Sequence, residues 1–230
     1  MTKIISFFFY KIIFYLNEIT FFLTRKNFLI WFDEFLQNDS YKKIIILKKN
    51  IRFFIPNNIT NWRVNSFFTK EPETLKWIDT FETKKKIIFW DIGANIGLYS
   101  IYNALKNKNS QTISFEPSTS NLRVLSRNIS INNIKNINIM PIPITNKKNK
   151  FLIMKENQFT YGGGLNSYGE KYNFEGKNYI SNMNYRVFGI TINYLLKNKI
   201  LKIPDYIKID VDGIEHLILE GAGKYLSKKN

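Results

Sequence analysis

The 230-residue chain has no cysteine. Disulfides and thiolate metal sites are thereby excluded, and a cytoplasmic setting is expected. A single histidine, His216, argues against an all-protein imidazole zinc site, and no metal is expected. Acidic residues are also scarce: 18 against 34 basic ones, for a formal charge of +16. Such a surplus can serve a polyanion or an anionic membrane. Here the lysines are scattered in twos and threes with no long basic stripe, and excess Ile, Asn, Lys, Phe and Tyr is what AT-rich coding DNA produces. No nucleic-acid partner is expected. Hydrophobic residues make up 44% and aromatics 16%, which excludes a disordered chain. The length suits one domain, or one domain with an extension.

The chain divides near residue 60. In residues 1–60 the first feature is an apolar run from Ile4 to Leu23, with Ile5, Phe8, Phe9, Ile12, Leu16, Ile19 and Leu23 at helical spacing. Lys11, Asn17 and Glu18 interrupt it. A helix packed on the domain is the first expectation. The alternative is membrane-surface contact through residues 4–23, with Lys3, Lys11, Arg25 and Lys26 toward lipid heads. A span is the least expected, and with no small-residue cleavage site following, neither is a secretory signal. Tyr41–Lys48 and Asn50–Ile55 read as a strand pair. Pro72 sits in the first turn of a helix carrying Leu75 and Ile78.

Residues 61–230 then alternate. Strands are predicted at 87–91, 112–116, 137–145 and 205–210, with Pro141 and Pro143 demoting the third toward an edge. Phe151–Met154 is a short strand, and Ile190–Leu196 a strand end and a short helix. Ser118 is a plausible N-cap for a helix with Leu122, Leu125 and Ile129, and Ile214–Leu226 is helical in pattern. Residues 157–185 are polar, contain Gly162, Gly163 and Gly164, and read as a mobile loop or lid. The fold class is α/β, a doubly wound, mostly parallel sheet.

The run Ile87–Ser100 carries the chemistry. A buried strand ends in Asp91; Gly93 and Gly97 follow four residues apart; helical spacing resumes at Ile96 and Tyr99. Such a turn sets bare N–H groups and a helix N-terminus against a ligand. Asp91 would repel a pyrophosphate and attract an ammonium. Glu116 ends the next strand, where a carboxylate accepts ribose hydroxyls. The dinucleotide pattern needs a middle glycine, and Asn95 replaces it. An adenosine cofactor bearing an ammonium, S-adenosylmethionine, fits best.

A second cluster is Lys208-Ile209-Asp210-Val211-Asp212-Gly213-Ile214-Glu215-His216. A strand ending at Asp210 beside the one ending at Asp91 would turn these acids toward the transferred methyl. Clustered carboxylates raise one another's pKa and a lysine lowers it, so Asp210, then Glu215, are the candidate bases, with Lys208 tuning them. The competing reading is a helix N-terminus decorated with acids. His216 reads as structural.

Together these residues resemble the FkbM family of S-adenosylmethionine-dependent methyltransferases. The likeness lies in Phe89–Ser100, in Ser114-Phe115-Glu116-Pro117 with Asn121 and Asn128, in Tyr206–Glu215, and upstream in Lys70–Leu75. It covers roughly residues 60–226. It implies a class I, Rossmann-like methyltransferase domain over 61–230. Asp91, Gly93, Ala94, Asn95 and Gly97 would hold the methionine end of the cofactor, and Glu116 with Pro117 the ribose. Pro143 stands near the adenine edge where alanine is common. The family often methylates oxygen, so the expected acceptor is a hydroxyl of a sugar, glycan or other small molecule, with Tyr161, Tyr168 and Tyr172 suited to stacking on it. About seven strands make the full fold and four are evident, so the domain reads as lacking its last strands. A truncated or degenerate domain acting as a non-catalytic binding module, or a peripheral membrane protein, is the alternative.

Overall fold

The computed structural model describes residues 1–82, 85–147, 149–157, 159–170, 172, 175, 177–178, 181 and 183–225. The chain forms two compact units, Met1–Tyr41 and Lys42–Asn230.

The first unit holds α1 (Thr2–Thr24) and α2 (Leu29–Asp39). α1 ends where Arg25 turns left-handed (φ 58°) and returns its N–H to Phe21 O. Asn17 Oδ1 accepts the N–H groups of Phe28 and Leu29 at 3.0 and 3.3 Å, satisfying donors that the start of α2 leaves open. Most side chains of α1 are exposed. Asn17 is its one buried residue.

The second unit opens with a hairpin, β1 (Tyr41–Ile46) and β2 (Lys49–Phe54). Its two-residue turn puts Leu47 and Lys48 at φ 49° and 63°, the double left-handed step that fits strand twist. Three helices follow: α3 (Asn58–Asn65), α4 (Phe67–Lys70) and α5 (Pro72–Asp79). Asn57 and Thr60 form a reciprocal capping box that starts α3.

The alternating region supplies β3 (Ile88–Ile92), α6 (Leu98–Lys106), β4 (Gln111–Phe115), α7 (Thr119–Ile131) and β5 (Ile137–Met140). Then come β6 (Lys150–Glu156), β7 (Ser167–Tyr168), β8 (Met183–Gly189), α8 (Ile192–Lys197), β9 (Tyr206–Ile209) and α9 (Glu215–Glu220). The main sheet runs β5–β4–β3–β9, all parallel. β9 lies beside β3 as the sequence implies, with Lys208 opposite Asp91. Trp90, Ile92, Ile113, Phe115, Ile192, Leu195 and Ile218 make the core on which helices pack, as a parallel sheet covered on both faces requires.

Three sequence expectations need correction. β5 stops at Met140 because Pro141 has no N–H for the ladder; Ile144 makes only an isolated bridge to Ile190. Part of the presumed loop is β8, which pairs antiparallel with β6 over its full length. Its polar residues face water while Tyr185 and Val187 lie half-buried. α9 ends at Glu220, and a 3₁₀ turn Gly223–Tyr225 follows; Leu226 and residues 227–230 lie outside the described residues. α3 and α4 were not expected from the sequence, where Asn57 and Thr60 are the one capping signal for α3.

Candidate cofactor site

β3 delivers Asp91, and the chain turns through Gly93 and Gly97 into α6. Both glycines have positive φ, 85° and 89°. A Cβ at Gly93 would stand 1.9 Å from Asp210 O, so only glycine lets the end of β9 approach. The expected row of bare N–H groups is absent. Gly93 and Ala94 both donate to Phe115 O at 3.0 Å, Gly97 donates to Ala94 O, and Asn95 N–H donates to Glu116 Oε2 at 2.7 Å. The turn is knitted to the end of β4 instead. Asn128 braces it from α7: its amide donates to Ile96 O while its oxygen accepts from Phe54 N.

Asp91 is fully buried. Its Oδ2 accepts from Ser100 Oγ at 2.5 Å, and Lys208 Nζ lies 4.0 Å from its Oδ1. Burial pushes its pKa up, against the pull of Lys208 and the Ser100 hydroxyl. Asp91 Oδ1 and Asn95 Oδ1 are buried and accept no hydrogen bond. Two orphaned acceptors so close in sequence suit a donor with several N–H groups, such as an α-ammonium.

Glu116 is 5% exposed. Besides Asn95 N–H it accepts Ser118 N–H at 2.9 Å. Burial pushes its pKa up to about 7, although those N–H bonds oppose the rise. With Pro117 it lines a cleft of about 590 Å³, whose walls include Pro143, Asn121, Asp210 and Asp212. Pro143 therefore stands at the cleft, where the sequence placed the adenine edge.

A second cleft, of about 420 Å³, is lined by Arg63, Lys70, Ala94, Tyr99 and Lys208. Gly93, Asn95 and Asp210 belong to both clefts. Lys208 Nζ bonds Asp210 Oδ2 at 3.0 Å. Burial alone would raise the Asp210 pKa, but Lys208, with Lys70 and Arg63 beyond it, outweighs burial and holds it below the usual carboxylate range. Its side chain remains 48% exposed. Asp212 is left-handed (φ 57°), accepts Leu165 N–H at 2.6 Å and is pushed up by burial. Glu215 does not line either cleft. Its Oε1 accepts from Val211 and Gly213 N–H at 3.3 and 3.2 Å, so it braces the turn after β9. His216 is exposed on α9.

The expected mobile lid is fastened where it crosses the site. Asn57 Nδ2 donates to Thr160 Oγ1 and Tyr161 O, both at 2.9 Å. Arg63 Nε donates to Gly162 O at 2.6 Å, and Asn95 and Asn121 amides donate to Gly163 O at 2.8 and 3.0 Å. Asn121 Oδ1 takes Gly162 N–H in return. Of the lid tyrosines, Tyr168 is buried and gives its hydroxyl proton to Val187 O, Tyr161 meets Arg123, and Tyr172 is exposed. Tyr168 ties its hydroxyl into the β6–β8 sheet while also lining the first cleft. Arg63 is a site residue the sequence did not reveal, and Lys70 was marked only as part of a family-like segment and given no role; the Asn57–Thr60 capping pattern was the available signal that a helix began before Arg63. Among the described residues no cluster of three His, Cys, Asp or Glu is suited to a metal.

Residues 91–230 match the family model for the methyltransferase FkbM domain. The chain belongs to that family. FkbM domains depend on S-adenosylmethionine, and the parallel sheet with its helices is a Rossmann-like α/β fold. No curated protein matches the chain. Among solved structures it is similar to the precorrin-6y C5,15-methyltransferase of Geobacter metallireducens, at 20% identity over 30% of this chain and 36% of that one, TM-score 0.28. TYW2 of M. jannaschii, in complex with AdoMet, is 16% identical over 44% of this chain and 42% of that one, TM-score 0.33. TYW2 of P. horikoshii, in complex with MeSAdo, is 14% identical over 47% and 40%, TM-score 0.33. The chain thus spans 36–42% of the length of these three. Of the cofactor-binding positions expected from the sequence, Gly93, Asn95, Glu116 and Pro117 line the first cleft and Gly93, Ala94 and Asn95 the second, whereas Asp91 and Gly97 line neither.

Proposed function

We propose that the chain binds S-adenosylmethionine at the Gly93–Gly97 turn and transfers its methyl group, in the cytoplasm, to a hydroxyl of a sugar, glycan or other small molecule. The residues present fit the cofactor: Glu116 offers a buried carboxylate beside a cleft, and Asp91 and Asn95 hold orphaned acceptors. When bound, S-adenosylmethionine supplies an electrophilic methyl on a sulfonium. The protein's part is to orient the acceptor oxygen and take its proton.

The observation that carries the reading is the position of Asp210. It lines both clefts, is half exposed, and is kept ionised by Lys208 at 3.0 Å. A carboxylate at a junction between a cofactor cleft and a second cavity is suited to accept a hydroxyl proton as the oxygen attacks. Glu215 is the weaker candidate, because its carboxylate is committed to the turn.

The test is isothermal titration with S-adenosylmethionine and, separately, with NAD. It is followed by transfer of labelled methyl to a panel of sugars, glycans and small alcohols. Binding of S-adenosylmethionine in preference to NAD, with label recovered on an acceptor oxygen, is expected. Label on nitrogen or carbon would overturn O-methylation. Tight cofactor binding with no transfer to any acceptor would favour a non-catalytic binding module.

A further inference from the structure

α1 exposes aromatic side chains in every direction. Phe7, Phe8, Phe9 and Tyr10 are consecutive and 58%, 62%, 57% and 49% exposed. Successive helical residues point about 100° apart, so these four encircle the axis. Phe22 and Leu23 repeat the pattern at the other end. A second helix or a second copy of this chain covers one stripe of such a surface. Only a solvent that is itself apolar covers all of it.

Length and flanks point the same way. The 23 residues of α1 rise about 35 Å, enough for a hydrocarbon core of about 30 Å. Of the most apolar 18-residue window only 6% is buried, so α1 is not a core helix. Lys11, the charge nearest its middle, has its ammonium 5.4–5.9 Å from the rings of Phe7, Tyr10, Phe14 and Tyr15, which shelters it. Arg25 and Lys26 follow α1 directly, and Lys42 and Lys43 come next. Lys3 lies in the first turn of α1. Basic residues beside a spanning helix favour the cytoplasmic side, which places the flank carrying Arg25, Lys26, Lys42 and Lys43 there. α2 adds Trp31 and Phe35, 61% and 62% exposed, of the kind enriched where headgroups meet hydrocarbon.

We propose that α1 is embedded in a lipid bilayer as the chain's anchor, with the residues that follow it on the cytoplasmic face. This does not depend on the cofactor reading.

The full chain is expressed and its membranes are washed with high salt and then with alkaline carbonate. Retention through both washes is expected, as is co-flotation with vesicles of phosphatidylcholine and phosphatidylglycerol. A full-length Phe8→Asp/Ile19→Asp variant is expected to lose at least about tenfold in vesicle partitioning, with thermal unfolding unchanged, since neither side chain is buried. Release by salt alone would overturn embedding. So would a soluble wild-type oligomer that the variant dissociates, which would assign the surface to a second copy. An N-terminus beyond residue 24 in the membrane-isolated protein would make α1 a removed leader and likewise overturn it.

Discussion

Asp91 and Lys208 are paired in register on adjacent parallel strands, with Lys208 Nζ 4.0 Å from Asp91 Oδ1. The carboxylate is fully buried and the lysine 8% exposed. Removing one partner of a buried pair leaves the other uncompensated, at a cost of about 3–5 kcal/mol. Lys208→Met is therefore expected to be strongly destabilised, and Asp91→Asn/Lys208→Met to recover much of the loss. Denaturant unfolding of the four proteins in a double-mutant cycle measures the coupling; additive losses would show that the two charges do not support each other.

Glu116 makes stability pH-dependent in an unusual direction. Its pKa is about 7 in the folded chain against 4.5 for the free group. Between those values the folded state holds more protons than the unfolded one, so stability falls as pH rises. The contribution is fully present below about 4.5 and lost as pH passes through about 7. Glu116→Gln should flatten that slope in melting temperatures measured from pH 5 to about 8. Cofactor affinity should move the other way in wild type, rising with pH as the carboxylate ionises to accept hydroxyls. Glu116→Ala should weaken S-adenosylmethionine binding roughly 10- to 150-fold by titration.

Asp210→Asn is expected to reduce methyl transfer by about 10²–10⁴-fold while leaving cofactor affinity nearly unchanged. Because Lys208 holds Asp210 below the ordinary carboxylate range, the acid limb of the rate profile should lie below that range. Single-turnover rates across pH check both statements. Turnover by the Asn variant equal to wild type would remove Asp210 from proton transfer.

Gly93 and Gly97 should tolerate alanine unequally. Both have positive φ, but the new Cβ meets Asp210 O at 1.9 Å in one case and Leu125 Cδ1 at 2.5 Å in the other. Backbone cannot yield as a leucine tip can. Gly93→Ala should fail to fold or melt far lower, and Gly97→Ala should lose only a few kcal/mol. Comparable melting temperatures would mean the β3–β9 approach is looser than the geometry shows.

The main sheet was legible because its strands are apolar runs ending in Asp91, Glu116 and Asp210, and both periodicity and the glycine turn mark their ends. β8 was not legible. Its alternation of Asn184, Arg186 and half-buried Tyr185 and Val187 belongs to a small sheet with a wet face, and it sits in a polar stretch that composition reads as loop. The acidic residues were found, but their division of labour was not. Glu215 and Asp210 look alike in sequence, and only the hydrogen bonds to Val211 and Gly213 show that Glu215 is spent on the turn. Arg63 was invisible for a different reason: it meets Gly162 from 99 positions away, and no local pattern encodes that distance.

The fastening of Thr160–Leu165 also bears on how the chain folds. Its partners are Asn57, Arg63, Asn95, Asn121 and Asp212, with sequence separations from 41 to 104 residues. Contacts so distant in the chain form slowly, after the loops between them have closed. The full set of these bonds exists only when α3, the glycine turn, α7 and the end of β9 are all in position. The segment is therefore expected to lock late during refolding, its amide protons becoming slow to exchange only after those partner elements have formed.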